Sequence, residues 1–190
     1  AAERAAASMG MMLPTTGMVD SIYQQSDLRL PVRTRTPGAQ MTSTSEFTAH
    51  SQEVRSILNQ RSRAGTGNTP RLIAGHKKDV VTANNRPGRQ GHVSIYGWQG
   101  ENGGRVQSLT DIHEGNYADY SHGIRFISQT AFDASGNPVN LPGLLSTGSS
   151  ALSASTLAPY RSAAAPLTCD RAPSASPAAA PGGGTGGIVQ

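Results

Sequence analysis

Apolar residues recur at Met18, Val19, Ile22 and Tyr23, directly after the polar pair Thr15-Thr16. Spacings of three and four put them on one side of a helix, and a threonine is a good first-turn cap. This pattern predicts a short amphipathic helix that ends before Pro31. A loop follows from Pro31 to Gln40, with Pro37-Gly38 as its turn signal. Ser43 and Glu46 have the spacing of a capping box. They open a second helix whose apolar face is Phe47, His50, Val54, Ile57 and Leu58, closing near Gly65. On that face His50 reads as a buried, hydrogen-bonded core histidine.

From Pro70 the period shortens to two. Arg71–Ala74 and Lys78–Thr82 read as short strands separated by Gly75-His76-Lys77. His92–Trp98 alternates, with Val93, Ile95 and Gly97 on one face and His92, Ser94, Tyr96 and Trp98 on the other. Asn102-Gly103-Gly104 has the composition of a hairpin turn into Arg105–Leu109. A last strand is expected over about His122–Ser128. Two helices and a small antiparallel sheet make an α+β domain, spanning residues 1–142.

Residues 143–190 form a C-terminal arm of another kind. Ala, Gly, Ser and Pro dominate it, Arg161, Asp170 and Arg171 are its charges, and Tyr160 is its one aromatic residue. Such a segment buries too little apolar surface to offset the entropy of ordering. It is expected to be linker-like alone, or to be ordered by packing on neighbouring copies, a route to a homo-oligomer.

Composition narrows the function classes. Of 190 residues, 36% are hydrophobic, 5% aromatic and 15% charged. No run approaches the roughly 18 apolar residues of a membrane-spanning helix, so no transmembrane segment is expected. Cys169 is the single cysteine, which excludes an intramolecular disulfide framework and a cysteine-based zinc site. The net charge of +4 is spread widely, with no basic stripe interleaved with aromatics, so nucleic acid is not an expected partner. A mild basic balance suits anionic surfaces such as cell-wall polymers. The chain starts at Ala1 without a basic and then apolar leader, as either a mature exported protein or a trimmed chain would. An extracellular or periplasmic location is the expectation.

Chemistry-bearing residues concentrate in four segments: Gly75 to Asp79, Tyr96 to Trp98, Asp111 to Glu114, and Asp119 to Arg125. The candidate catalytic groups are His76, Asp79, His113, Asp119, His122 and Arg125. Lys78, Tyr96, Trp98 and Tyr120 are the candidate binding residues. Trp98 and Tyr96 on one strand face, with Tyr117 and Tyr120 nearby, suit an aromatic platform for a sugar ring or peptide, or else a core anchor.

Gly-His-Lys-Lys-Asp-Val-Val (75–81), Ile-Tyr-Gly-Trp (95–98) and Asp-Tyr-Ser-His-Gly-Ile-Arg (119–125) together resemble a pattern of uncharacterised exported bacterial proteins, over roughly residues 9–129. That resemblance carries no activity with it. Ser121-His122-Gly123-Ile124-Arg125 is also similar to the Ser-His-Gly-Cys-x-Arg signature of L,D-transpeptidases, which cross-link peptidoglycan. Ile124 follows Gly123 where that signature has its cysteine, and without a thiolate no acyl-enzyme forms.

Two hydrolytic schemes remain. In the first, His113, Asp119 and His122 supply the nitrogen and oxygen ligands of a catalytic zinc. Their spacing is similar to the first half of the zinc D,D-peptidase motif, one residue short and without its final His-x-His. In the second, Ser121 is a nucleophile served by His76 or His113, oriented by Asp79 or Asp119, with Arg125 as a carboxylate or oxyanion anchor. Both need the histidines 76, 113 and 122 in one cluster. A cell-wall hydrolase is then the expected enzyme. A non-catalytic secreted structural or binding subunit, for a cell-wall polymer or peptide, is the alternative.

Overall fold

The computed structural model describes residues 1–64, 72–83, 87–133 and 135–146, all within one unit of the chain. The helix end at Gly65, the strand start at Arg71 and the arm beyond residue 146, with Cys169, lie outside the described residues.

An alanine-rich opening that no apolar spacing marks folds as helix α1 (Ala2–Ser8), with Ala6 packed inward. Alanine needs no amphipathic pattern to favour a helix. Strand β1 (Met11–Met12) follows. Helix α2 (Thr16–Gln25) starts where the pattern placed it, its Thr15 hydroxyl accepting from the Met18 N–H. Met18, Val19 and Tyr23 are its buried face. After strand β2 (Leu28–Arg29) and the loop, a short 3-10 turn at Ala39–Thr42 leads into helix α3 (Thr44–Ala64). Half of the capping box forms: the Ser43 hydroxyl accepts from the Glu46 N–H at 3.2 Å. Glu46 does not return the bond, because its carboxylate holds Arg35 at 2.6 Å.

Strands β3 (Ile73–Ala74), β4 (Lys78–Val80), β5 (His92–Gln99) and β6 (Arg105–Glu114) come next. The long segment read as one last strand is broken into β7 (His122–Gly123) and β8 (Ile127–Ser128). Strands β9 (Thr130–Phe132) and β10 (Pro138–Asn140) form a closing hairpin, followed by helix α4 (Leu141–Ser146). The fold is α+β. Its main sheet has the order β6-β5-β4-β7. β5 pairs antiparallel with β4 and β6, whereas β7 joins β4 in parallel, with Lys78 opposite His122 and Asp79 opposite Gly123. The sheet is therefore mixed rather than wholly antiparallel.

Val19 of α2 packs on Val81 and Tyr96, tying the helix to one face of the sheet. The Tyr96 hydroxyl donates to Asp20, which also receives Gln99 and Arg105. The loop ahead of β7 is strapped to α3 through Arg35. The Arg35 N–H donates to the Tyr120 hydroxyl, and its guanidinium spans Glu46 and Glu53. Among the described residues no helix is long and apolar enough to cross a membrane.

Candidate functional site

Successive residues of a strand point to opposite faces, and β4 uses this to divide the candidate groups. Lys78 stands beside His122, and Asp79 beside Gly123. The six candidate catalytic residues accordingly form two sets, and the expected single cluster of His76, His113 and His122 does not assemble.

His76, Asp79 and Arg125 line one cleft of about 390 Å³, with Leu30, Val54, Leu58, Leu72 and Ile73 as its apolar wall. Gly75 lets the chain turn at its edge, adopting a φ of +98°. A β-carbon there would stand 2.6 Å from the Leu30 carbonyl oxygen, so no other residue fits. Arg125 donates from Nη2 to the Ile73 carbonyl at 3.1 Å, and its Nε lies 3.5 Å from Asp79 Oδ1. That ion pair is longer than a good hydrogen bond, so Asp79 holds the buried Nε only loosely. Burial pushes the Asp79 carboxyl up, and Arg125 only partly offsets this. Burial first, and the Arg125 charge second, lower His76 to about 4, so at neutral pH it is an uncharged imidazole. Its Nδ1 is also buried without a partner. The cleft thus holds a fixed cation, a carboxylate, a neutral imidazole and an apolar wall.

The second set surrounds Asp119, which is 1% exposed. Asp119 Oδ1 accepts from the Ser121 N–H at 2.8 Å and the Ser121 hydroxyl at 2.5 Å, and Oδ2 accepts from Tyr117 at 3.2 Å. Burial alone would raise this carboxyl, but the Ser121 bonds, with His122 and Lys78 nearby, hold it below the usual carboxylate range. His122 Nε2 lies 3.8 Å from Oδ2. His113 stacks on Tyr117 at 4.1 Å between ring centroids and stands 6.2 Å from His122. Burial lowers His122 to about 4 in spite of Asp119. Lys78, lowered by burial, places its ammonium 5.0 Å over the Trp98 ring.

This second set corrects several expectations. Ser121 is 0% exposed and spends its hydroxyl proton on Asp119 rather than on a histidine. It is a turn residue whose hydroxyl is held by a carboxylate and shut off from solvent. The zinc candidates His113, Asp119 and His122 do not form a ligand set, and no other three His, Cys, Asp or Glu groups among the described residues do so. One Asp119 oxygen is taken up by Ser121, and His113 is stacked flat on Tyr117. Tyr96, Trp98 and Tyr120 are 7%, 5% and 1% exposed, so they are core rather than an open platform. Gly97 and Trp98 both take positive φ values, 99° and 53°, which breaks the strand alternation. Tyr96 consequently reaches Asp20, while Trp98 meets Tyr120 edge-on.

The cleft wall was the part missed from sequence. Val54 and Leu58 belong to the recognised apolar face of α3, but nothing in the pattern tells packed core from the lining of a hollow. Ile73 and Leu30 come from β3 and the residue after β2, which pair in parallel across a long stretch of chain. Comparisons with protein-family models, with curated proteins and with solved structures find no match for this chain.

Proposed function

We propose that this chain is an exported bacterial binding protein whose cleft takes a short peptide with a free carboxyl end, of the kind found in bacterial cell walls. The observation that carries this reading is the convergence of Arg125, Asp79 and His76 against the Leu30, Val54, Leu58 and Ile73 wall. The Arg125 guanidinium, held only loosely by Asp79 at 3.5 Å, suits a ligand carboxylate, which an arginine binds through charge-assisted bonds. Asp79 is placed to accept a peptide N–H, and the apolar wall suits the methyl-bearing side chains between them. A pocket of few polar groups on an apolar wall is the usual form of a small-ligand site.

A second reading, a hydrolase, is favoured by one feature: a neutral His76 and an Asp79 of raised pKa share the same cleft, as an acid–base pair would. Calorimetric titration separates the readings. Short alanine-rich peptides with free carboxyl ends should bind, and their C-terminal amides should bind at least about tenfold more weakly. Equal binding of acid and amide, or none of either, would remove the proposed function. Release of soluble fragments from purified cell walls, lost in His76→Gln, would move the assignment to hydrolysis.

A further inference from the structure

A second hollow, of about 680 Å³, lies where the first turn of α3 faces the end of β6 and the turn beyond it. It shares no lining residue with the cleft at Arg125. Phe47 reaches it from α3, Ile112, His113 and Glu114 from β6, and Tyr117 from three residues further on. Ile112 is 54% exposed and Phe47 is half-buried, so both keep apolar surface open to the hollow. The turn that shapes it is held firmly. The Tyr117 N–H donates to the Glu114 carbonyl at 2.9 Å, closing a four-residue turn that brings these two residues together. A β-carbon at Gly115 would run into the Gly91 carbonyl oxygen, so the turn lies tight against the loop that leads into β5. The Tyr117 ring is fixed as well, stacked on His113 at 4.1 Å between centroids, with its hydroxyl donating to Asp119 at 3.2 Å.

Glu114 is the one group here that is not spent. Its side chain is exposed, and among the described residues its carboxylate has neither a hydrogen bond nor an ion pair. It is the only carboxylate lining the hollow, and no lysine or arginine lines it. We propose that this hollow takes a basic side chain of a peptide, lysine or arginine, its alkyl stem on Phe47 and Ile112 and its cation at Glu114 against the Tyr117–His113 stack. A long basic side chain lays its stem on apolar surface and keeps its charged head at the rim. Aromatic rings and a carboxylate both attract that head, whereas an acidic group would be repelled. The chain as a whole carries a net charge of +4, so any attraction for a cation has to come from this local arrangement.

A magnetic resonance titration of the full chain with lysine blocked at both ends, as its N-acetyl amide, tests this. The amides of Glu114, Asn116 and Ala118 should shift, and the norleucine derivative, with a similar stem and no charge, should bind at least about threefold more weakly. Glu114→Gln should weaken the lysine ligand by a similar factor and leave norleucine unchanged, and Ile112→Ser should weaken both. Glu3→Gln, at an exposed carboxylate on α1, should bind lysine as the wild type does. All three variants should keep the wild-type melting temperature. Absence of shifts at these amides would overturn the proposal, as would equal binding of lysine and norleucine, or an equal loss in Glu3→Gln and Glu114→Gln. Shifts confined to residues 75–79 would also overturn it, placing the cation at Asp79. The probe has no free carboxyl, so its failure leaves the carboxylate site at Arg125 standing.

Discussion

His50 Nε2 lies 3.2 Å from the carbonyl oxygen of Arg33, and no part of the His50 residue reaches solvent. The imidazole is packed 4.9 Å from the Tyr120 ring, with its Nδ1 unpartnered. Burial, followed by the charges of Lys77 and Arg35, lowers it from 6.5 to about 4. Between those two pH values the unfolded chain binds a proton that the folded chain refuses. Stability is therefore complete above about pH 6.5 and falls as pH drops towards 4, by on the order of 3 kcal/mol for one such group. His50→Gln, whose amide can still donate to Arg33, should reduce the pH slope of urea-unfolding stability by close to one proton in this window. An unchanged slope would show that His50 titrates normally.

Ser121→Ala removes the hydroxyl bond to buried Asp119 while leaving the Ser121 N–H in place. Folding stability in urea should fall by about 1–3 kcal/mol, the usual cost of weakening a buried charged acceptor, and peptide binding should persist. Loss of an enzymatic activity with stability unchanged would restore Ser121 as a nucleophile.

Gly75→Ala should be costly in a way that Gly136→Ala is not. Both glycines have positive φ, but a β-carbon at Gly75 meets two backbone oxygens, of Leu30 and Gln99, at 2.6 and 2.9 Å, whereas at Gly136 it meets nothing within 4 Å. Backbone atoms cannot swing aside. Thermal and urea unfolding should show Gly75→Ala losing about 2–4 kcal/mol and Gly136→Ala about 1 kcal/mol. Equal losses would mean that the Gly75 turn opens easily.

Trp98, the single tryptophan, should report a buried indole. Acrylamide should quench its fluorescence poorly, and sugars or peptides in the cleft should leave its emission unmoved, since the ring sits beside Lys78 and Tyr120. Efficient quenching in the folded protein would contradict its burial.

Local signals in the sequence proved dependable where a single segment carries them. Thr15 caps α2, Ser43 caps α3, and His50 sits fully buried on the predicted face. Three-dimensional relationships were harder to read. The alternation that joined Tyr96 to Trp98 fails at Gly97-Trp98, because positive φ angles reset the direction of the chain. β6 runs five residues beyond the predicted Leu109, because two inserted residues hide its period. The candidate catalytic residues lie in or beside β4, β6 and β7, but a list of residues has no sides. Only the neighbours Lys78 and Asp79, turned to opposite faces of β4, separate the His122 set from the Arg125 set. The cleft wall was illegible for a similar reason: a leucine facing a hollow and a leucine facing another leucine have the same pattern.

The most direct test of the cleft is the nitrogen–proton correlation of the Arg125 side-chain Nε in a magnetic resonance titration with a free-acid alanine peptide. Its resonance should shift as the Nε–H exchanges its long contact with Asp79 for the ligand carboxylate, together with the amides of Gly123 and His76, and the C-terminal amide of the same peptide should leave it in place. An Arg125 Nε signal that stays fixed while peptide binds elsewhere, or that responds equally to acid and amide, would contradict the assignment of this cleft as a carboxylate-reading peptide site.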